Sequence, residues 1–80
     1  MNVTVFLFAS YADALGTPEL ELALPTGSTV ADAVRRVGTL AGANRVPPAP
    51  LVAVNERYAS LDQLLAAGDE LALIPPVAGG

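Results

Sequence analysis

The sequence contains no cysteine, no histidine and no lysine among its 80 residues. The first two absences exclude disulfides, cysteine nucleophiles, imidazole bases and the thiolate or imidazole ligands that most transition-metal sites need. The third means that no side chain here can accept an isopeptide bond. Catalysis by this chain alone is therefore the least favoured interpretation, and we expect neither a metal site nor a bound cofactor.

Positive charge is also scarce, because four arginines stand against eight acidic residues and the net charge is −4. Such a chain repels a phosphate backbone, so no nucleic-acid partner is expected. No apolar run approaches the roughly 20 residues that span a bilayer. The first residues also lack the basic flank of a signal peptide. These features predict a soluble cytoplasmic protein without a membrane partner.

What the sequence does have is apolar content, since 52% of its residues are hydrophobic and only 15% are charged. A chain of this length and composition folds as one small domain with a single core.

Alternating apolar residues predict two strands near the start of the chain. The first is Asn2–Phe8, and the second is Glu19–Leu24, where leucine alternates with glutamate and alanine. The two are expected to pair as a hairpin. Between them, Ala9–Leu15 is weakly helical, with Ser10 as a plausible N-cap and Gly16 as its end. The core face of the first strand consists of Val3, Val5 and Leu7.

The main helix is predicted to begin after Ser28 or Thr29 and to run to about Ala41. Asp32 stands three residues after Thr29, which is the spacing of a capping box. Gly42 is the expected end. The apolar stripe that faces the core comprises Val30, Ala33, Val34, Val37 and Leu40.

The second half of the chain predicts three more strands and a loop. Residues 44–50 carry three prolines and form the loop. Leu51–Val54 is a continuous apolar run, typical of the middle of a sheet. Tyr58 begins a short edge segment, residues 61–65 are at most a helical turn, and Glu70–Ile74 is the last strand. The pattern indicates an α+β fold in which a sheet grips one helix.

The final six residues, Pro75-Pro76-Val77-Ala78-Gly79-Gly80, have a different character. Two prolines favour an extended chain that leaves the fold stiffly, with a reach of about 20 Å. The two glycines have no Cβ, so the terminal carboxylate can pass through a narrow channel in a partner. A frayed terminus is the alternative. We therefore divide the chain into a folded domain, residues 1–74, and a flexible tail, residues 75–80.

The chain contains the segments Phe6-Leu7-Phe8-Ala9, Val52-Ala53-Val54-Asn55 and Gly68-Asp69-Glu70-Leu71, followed by the Gly-Gly tail. Together these four segments resemble the ubiquitin-like sulfur carriers, most nearly the small subunits of molybdopterin synthase. The resemblance implies a β-grasp, ubiquitin-like fold with a mixed sheet of four to five strands packed on one main helix. One departure is that Ala12-Asp13 stands where the family often has an Arg-Glu pair.

The same resemblance implies a chemistry at the end of the chain. An activating enzyme adenylates the carboxylate of Gly80 with ATP, and sulfur then replaces AMP to give a thiocarboxylate. Gly79 permits entry into the partner, and the spacer that contacts it comprises Pro75, Pro76, Val77 and Ala78. The sulfur is donated to a pyranopterin precursor in molybdenum cofactor biosynthesis. ATP and Mg²⁺ are expected to bind the activating enzyme, and this chain is expected to be a non-catalytic donor subunit.

The expected partners are the large synthase subunit, an E1-like adenylating enzyme and a sulfur-donor protein. The resemblance places Phe8, Tyr58 and Ile74 on a surface that faces the large subunit. For Phe8 and its neighbour Phe6, packing in the core is the alternative. Asp69 and Glu70 either contact a basic groove of the activating enzyme or simply form the turn before the last strand.

Two other functions fit the same features. A sulfur carrier for thiamine or cysteine biosynthesis shares the Gly-Gly end and the fold, although the Phe-rich first strand and the Pro-Pro pair favour the molybdopterin pathway. A ubiquitin-like modifier uses the tail for conjugation to a target protein, whereas a plain binding module does not use the tail.

Overall fold

The computed structural model describes residues 1–41 and 51–75. Within them the strands are β1 (Asn2–Leu7), β2 (Glu19–Ala23), β3 (Leu51–Val54), β4 (Arg57–Tyr58) and β5 (Glu70–Ile74). The helices are α1 (Ser10–Leu15) and α2 (Val30–Ala41). The predicted end of α2 at Gly42, the loop of residues 44–50 and tail residues 76–80 lie outside the described residues.

The five strands form one mixed sheet in the order β2-β1-β5-β3-β4. β1 and β5 run parallel side by side, whereas β1 with β2, β3 with β5, and β3 with β4 are antiparallel. The predicted hairpin of the first two strands is confirmed. The predicted α+β, β-grasp arrangement is also confirmed, with a second short helix, α1, beside the main one.

One face of this sheet forms the core because apolar residues alternate along each strand. Strand residues 3, 5 and 7 of β1 are buried, as are 52 and 54 of β3 and 71 and 73 of β5. Helix α2 covers them with Val30, Ala33 and Val37, each at most 1% exposed. Burying one such side chain contributes about 1.5–3 kcal/mol, so this face holds the domain together.

The start of α2 is a capping box, as the spacing predicts. The Thr29 N–H donates to Asp32 Oδ2 at 2.8 Å, and the Asp32 N–H donates to Thr29 Oγ1 at 3.3 Å. Thr29 is therefore the cap, while the buried Ser28 donates its hydroxyl to the Pro25 carbonyl at 2.7 Å. The two bonds between Thr29 and Asp32 satisfy N–H groups that a helix start otherwise leaves without partners.

The segment of residues 61–65 also serves the start of α2. The N–H groups of Val30 and Ala31 donate to the carbonyls of Gln63 and Leu61, at 3.0 and 2.9 Å. Thr29 and Leu64 form an isolated antiparallel bridge, so this segment runs beside the helix start without forming a helix.

Several details of the predicted fold are wrong. The second strand ends at Ala23 and not at Leu24, and the edge segment begins at Arg57 and not at Tyr58. The first strand ends at Leu7, because Ala9 turns the chain with a positive φ of 49°. Helix α1 begins at Ser10, and its N-cap is Ala9, which has no side-chain group for capping. Leu40 is 54% exposed, because the last turn of α2 extends beyond the core that the described residues form.

The described residues contain no helix that is long and apolar enough to cross a membrane.

Candidate functional site: the outer face of the sheet

The face of the sheet opposite α2, here called the outer face, carries a row of residues that is apolar except for Glu19 at the β2 edge. The strand register aligns one residue from each strand across the whole sheet. Because side chains alternate along a strand and their neighbours are buried on the other side, this row points away from the core. In order from β2 to β4 it consists of Glu19, Phe6, Ala72, Ala53 and Tyr58.

A second apolar group lies next to this row, towards the end of β5. Leu51 and Ile74 are register partners. Leu7 pairs with Leu73, so continuing the register by one residue brings Phe8 alongside Ile74. Phe8 is 49% exposed and Tyr58 is 76% exposed. The structure thus brings Phe8, Tyr58 and Ile74 to one face, and core packing of Phe8, the alternative interpretation, is wrong.

The outer face contains an open depression of about 290 Å³. Its apolar lining is Phe6, Phe8 and Ala72, and its polar lining is Glu56 and Glu70. Glu70 begins β5, and Glu56 lies in the turn between β3 and β4. Both glutamates are exposed, so carboxylates border an aromatic floor.

The turn that carries Glu56 is tight and has an unusual backbone. Val54 pairs with Arg57, which leaves only Asn55 and Glu56 in the loop. Their φ angles are 49° and 71°. Two successive positive φ angles are the geometry of a type I′ hairpin turn, in which glycine normally takes the second position.

Asn55 attaches this turn to the start of β5. Its side-chain Nδ2 donates to Asp69 Oδ1 at 3.0 Å, and its Oδ1 accepts the Glu70 N–H at 3.0 Å. The other Asp69 oxygen accepts the Ala66 N–H at 2.8 Å. Asp69 therefore builds the turn, which agrees with the second of its two predicted roles. No side-chain hydrogen bond of Glu70 is found among the described residues, so its carboxylate remains available.

The charges of the outer face are all negative in the described part of the chain. Glu19, Glu21, Glu56 and Glu70 lie on it or at its border. Arg57 pairs with the core residue Val54 and so belongs to the opposite side. The other described arginines, Arg35 and Arg36, are on α2. The outer face therefore combines an apolar centre with an acidic border.

A larger groove of about 510 Å³ lies between the turn after β2 and the side of α2. Several of its polar groups are already engaged with one another. Arg35 Nη1 donates to Asp32 Oδ1 at 3.1 Å, and the Thr39 hydroxyl donates to the Arg36 carbonyl at 2.7 Å. The Thr29 N–H bond, above all, holds the pKa of Asp32 below its usual value. Most hydrogen-bonding groups at this helix start are therefore paired within the protein, which leaves few of them for a ligand.

The tail leaves the fold beside the apolar group of the outer face. Ile74 ends β5, which lies between β1 and β3, and Pro75 follows it half-buried. The other predicted tail residues, Pro76, Val77, Ala78, Gly79 and Gly80, lie outside the described residues. No group of three or more acidic side chains that could hold a metal ion is found within residues 1–41 and 51–75.

Two residues of interest were not singled out by the sequence patterns. Glu56 was missed because its position beside Phe6 and Phe8 depends on contacts between strands that are distant in sequence. The short Asn55-Glu56 turn was a local signal that could have indicated it. Tyr11 is fully buried against the core, and burial raises the pKa of its hydroxyl. Because helix α1 has only six residues, its single aromatic residue gave no periodic pattern that could have indicated burial.

Comparisons with known proteins agree over the full length of the chain. The ThiS family model matches residues 5–80. A molybdopterin synthase sulfur carrier subunit from Arabidopsis thaliana is 33% identical over 81 residues, covering 100% of this chain and 84% of the relative.

Two solved structures share the fold over nearly the whole length of both chains. A putative molybdopterin converting factor subunit 1 from Pyrococcus furiosus is 30% identical with a TM-score of 0.84, covering 96% of this chain and 99% of that one. SAMP1 from Haloferax volcanii is 30% identical with a TM-score of 0.82, and both chains are covered completely.

Proposed function

Because this chain belongs to the ThiS family, we propose that it is a sulfur carrier and the small subunit of a molybdopterin synthase. The observation that carries the proposal is the full-length likeness to a molybdopterin synthase sulfur carrier subunit. The family match also extends to Gly80 and so includes the Gly-Gly end.

The absence of reactive side chains supports chemistry at the terminal carboxylate. An α-carboxylate has a pKa of about 3.5, so at neutral pH it is an anion and a poor electrophile. Adenylation by an activating enzyme, with ATP and Mg²⁺ bound there, converts it into a mixed anhydride and releases pyrophosphate. A sulfide equivalent from the donor protein then attacks the carbonyl carbon of Gly80, and AMP leaves. The product is a thiocarboxylate.

The outer face is the proposed docking surface for the large subunit. Phe8, Tyr58 and Ile74 are exposed or half-buried there, and such apolar surface is typical of an interface. Pro75 leaves the sheet directly after Ile74. Docking at this face would hold the base of the tail against the partner. The five residues after Pro75 could then span at most about 18 Å towards its active site.

Intact-mass measurement of the protein from its own host, without reducing or alkylating reagents, tests the carrier role. We expect the mass change of one oxygen replaced by sulfur, and fragmentation should locate it at Gly80. A variant without Gly80 is the control and should stay unmodified. If Gly80 remains a plain carboxylate after incubation with ATP, the activating enzyme and a sulfur donor, the carrier role is rejected.

A ubiquitin-like modifier is the second candidate, favoured by the likeness to SAMP1, a small archaeal modifier protein. In that role the Gly80 carboxylate forms an isopeptide bond with a lysine of a target protein. Higher-mass conjugates on a blot of host lysate, lost when Gly80 is deleted, would support it. A thiocarboxylate without conjugates would favour the synthase subunit.

A further inference from the structure

The outer-face depression has an aromatic floor that is accessible from outside. Phe6 is half-buried and Phe8 is 49% exposed, and both line the depression with Ala72. Exposed aromatic rings contribute strongly to binding when a partner covers them. The floor therefore favours a group that is flat enough to lie against a ring.

The border of the depression selects for positive charge. Glu56 and Glu70 line it, and no cationic side chain lies on the outer face in the described part of the chain. An apolar side chain alone, docked here, would leave both carboxylates desolvated without a partner, which is costly. A cation with an apolar or planar body satisfies both parts of the surface.

The position of Glu56 is fixed by its neighbours. The two-residue turn is joined to β5 by the three bonds of Asn55, namely those to Asp69 Oδ1, to the Glu70 N–H and, from the Asn55 N–H, to the Glu70 carbonyl at 2.7 Å. These bonds hold the backbone of Glu56 close to that of Glu70. The two glutamate side chains thus extend from neighbouring points of a fixed backbone and line the same depression.

We propose that the partner of the outer face inserts one arginine side chain between Glu56 and Glu70, with its guanidinium over the Phe6 and Phe8 rings. This inference rests on the proposed function, because it takes the partner to be the large subunit of molybdopterin synthase. It adds to that function the chemistry of the contact between the subunits. It also makes Glu56 and Glu70 the residues that determine specificity for the partner.

Arginine suits this depression better than lysine for two reasons. Its planar guanidinium stacks on aromatic rings, and its five N–H donors reach two carboxylates at once. A lysine ammonium is a compact, strongly hydrated charge that gains less from an aromatic floor.

Titration calorimetry with the purified large subunit from the same organism tests the proposal. The variants are Glu56→Gln, Glu70→Gln and the double variant, which keep size and remove charge. We expect each single change to weaken binding by about tenfold or more, and added salt to weaken the wild type more than the double variant. Asp62→Asn, which removes an exposed carboxylate in the segment beside the start of α2 and away from the outer face, is the control and should change affinity by less than about threefold.

A second measurement identifies the inserted residue. The large subunit is treated with an arginine-selective dicarbonyl reagent, alone and in complex, and modified sites are mapped by mass spectrometry. One arginine should be protected by the wild type and much less by the double variant at equal occupancy. If the wild type protects no arginine of the large subunit, the proposal is overturned.

The outcomes separate this inference from the proposed function. If the wild type binds and the double variant binds equally well, the arginine contact is rejected while the synthase role stands. If the wild type does not bind the large subunit at all, the proposed partner and this inference both fail. The carrier chemistry is still decided by the mass of Gly80.

Discussion

Glu56 holds a charged side chain where the backbone favours glycine. Its φ is 71°, in the left-handed region, and a residue with a Cβ in that conformation costs about 1–2 kcal/mol. Strained positions of this kind persist where the surroundings fix them, and they are concentrated at functional sites. The Asn55 bonds fix this one, which leaves its carboxylate beside the aromatic floor.

We expect Glu56→Gly to stabilise the isolated domain by about 0.5–1 kcal/mol, because glycine adopts a positive φ without a Cβ clash. The same variant should bind the large subunit more weakly. Urea unfolding followed by circular dichroism measures the first effect. Asn55→Gly is the control, since it removes the bonds to Asp69 and Glu70 and should destabilise by about 1–2 kcal/mol. A destabilised Glu56→Gly would contradict the strain argument.

Tyr11 shows how one side chain can anchor a weak element. Helix α1 has six residues and no side-chain cap at its start, so its own hydrogen bonds give little stability. Tyr11 is 0% exposed in the core, and Gly16 ends the helix in the left-handed conformation with φ of 72°. Tertiary packing therefore determines where α1 lies.

At the scale of elements, the first turn of α2 is joined by hydrogen bonds to a distant part of the chain, in addition to the packing of the helix on the sheet. The capping box satisfies Thr29 and Asp32, and the carbonyls of Leu61 and Gln63 satisfy the next two N–H groups. A segment distant in sequence thus completes the helix start. This also explains why residues 61–65 are held in place without regular structure of their own.

The capping box predicts a pH dependence of stability. The pKa of Asp32 is lowered, first by the Thr29 N–H and then by the Thr29 hydroxyl. A lowered folded-state pKa means that the ionised carboxylate stabilises the fold above its unfolded pKa, and that this contribution is lost as pH falls below about 4. We expect Asp32→Asn to be less stable than the wild type at pH 7, and the difference to shrink towards acid pH. Urea midpoints measured from neutral to acid pH check this, and parallel curves would contradict it.

At the scale of the whole molecule, the two faces of the sheet have different roles. The face under α2 contributes the stabilising core, whereas the outer face is left partly open with aromatic side chains and carboxylates. Within residues 1–41 and 51–75, no second layer of helices or strands covers that face. Its exposed apolar centre therefore agrees with a chain that functions in a complex.

We expect Phe8→Ala to weaken assembly with the large subunit by about 1–3 kcal/mol while the isolated domain stays folded. Leu61→Ala is a matched control, because Leu61 is similarly exposed at 57% but lies beside the start of α2. Calorimetry measures the affinities, and thermal unfolding verifies the fold. Equal affinity of Phe8→Ala and the wild type would remove Phe8 from the interface.

Much of this architecture was predictable from local sequence. The alternation in Asn2–Leu7 and Glu70–Ile74, and the spacing of Thr29 and Asp32, correspond closely to the observed strands and helix start. Of the predicted surface residues, Phe8, Tyr58 and Ile74 share the outer face. Leu40 continued the helical stripe but is exposed, because periodicity reports which side of a helix is apolar and not how far the core extends.

The sequence by itself determined the strands and the main helix, because side-chain alternation and helix capping are local properties. It also determined the Gly-Gly ending and the absence of reactive side chains. Only the tertiary structure decided that β1 and β5 run parallel, that Tyr11 is buried, and that Glu56 and Glu70 border Phe6 and Phe8. These contacts join opposite halves of the chain. Their geometry depends on strand order and register, which are set by burying one face of the whole sheet at once.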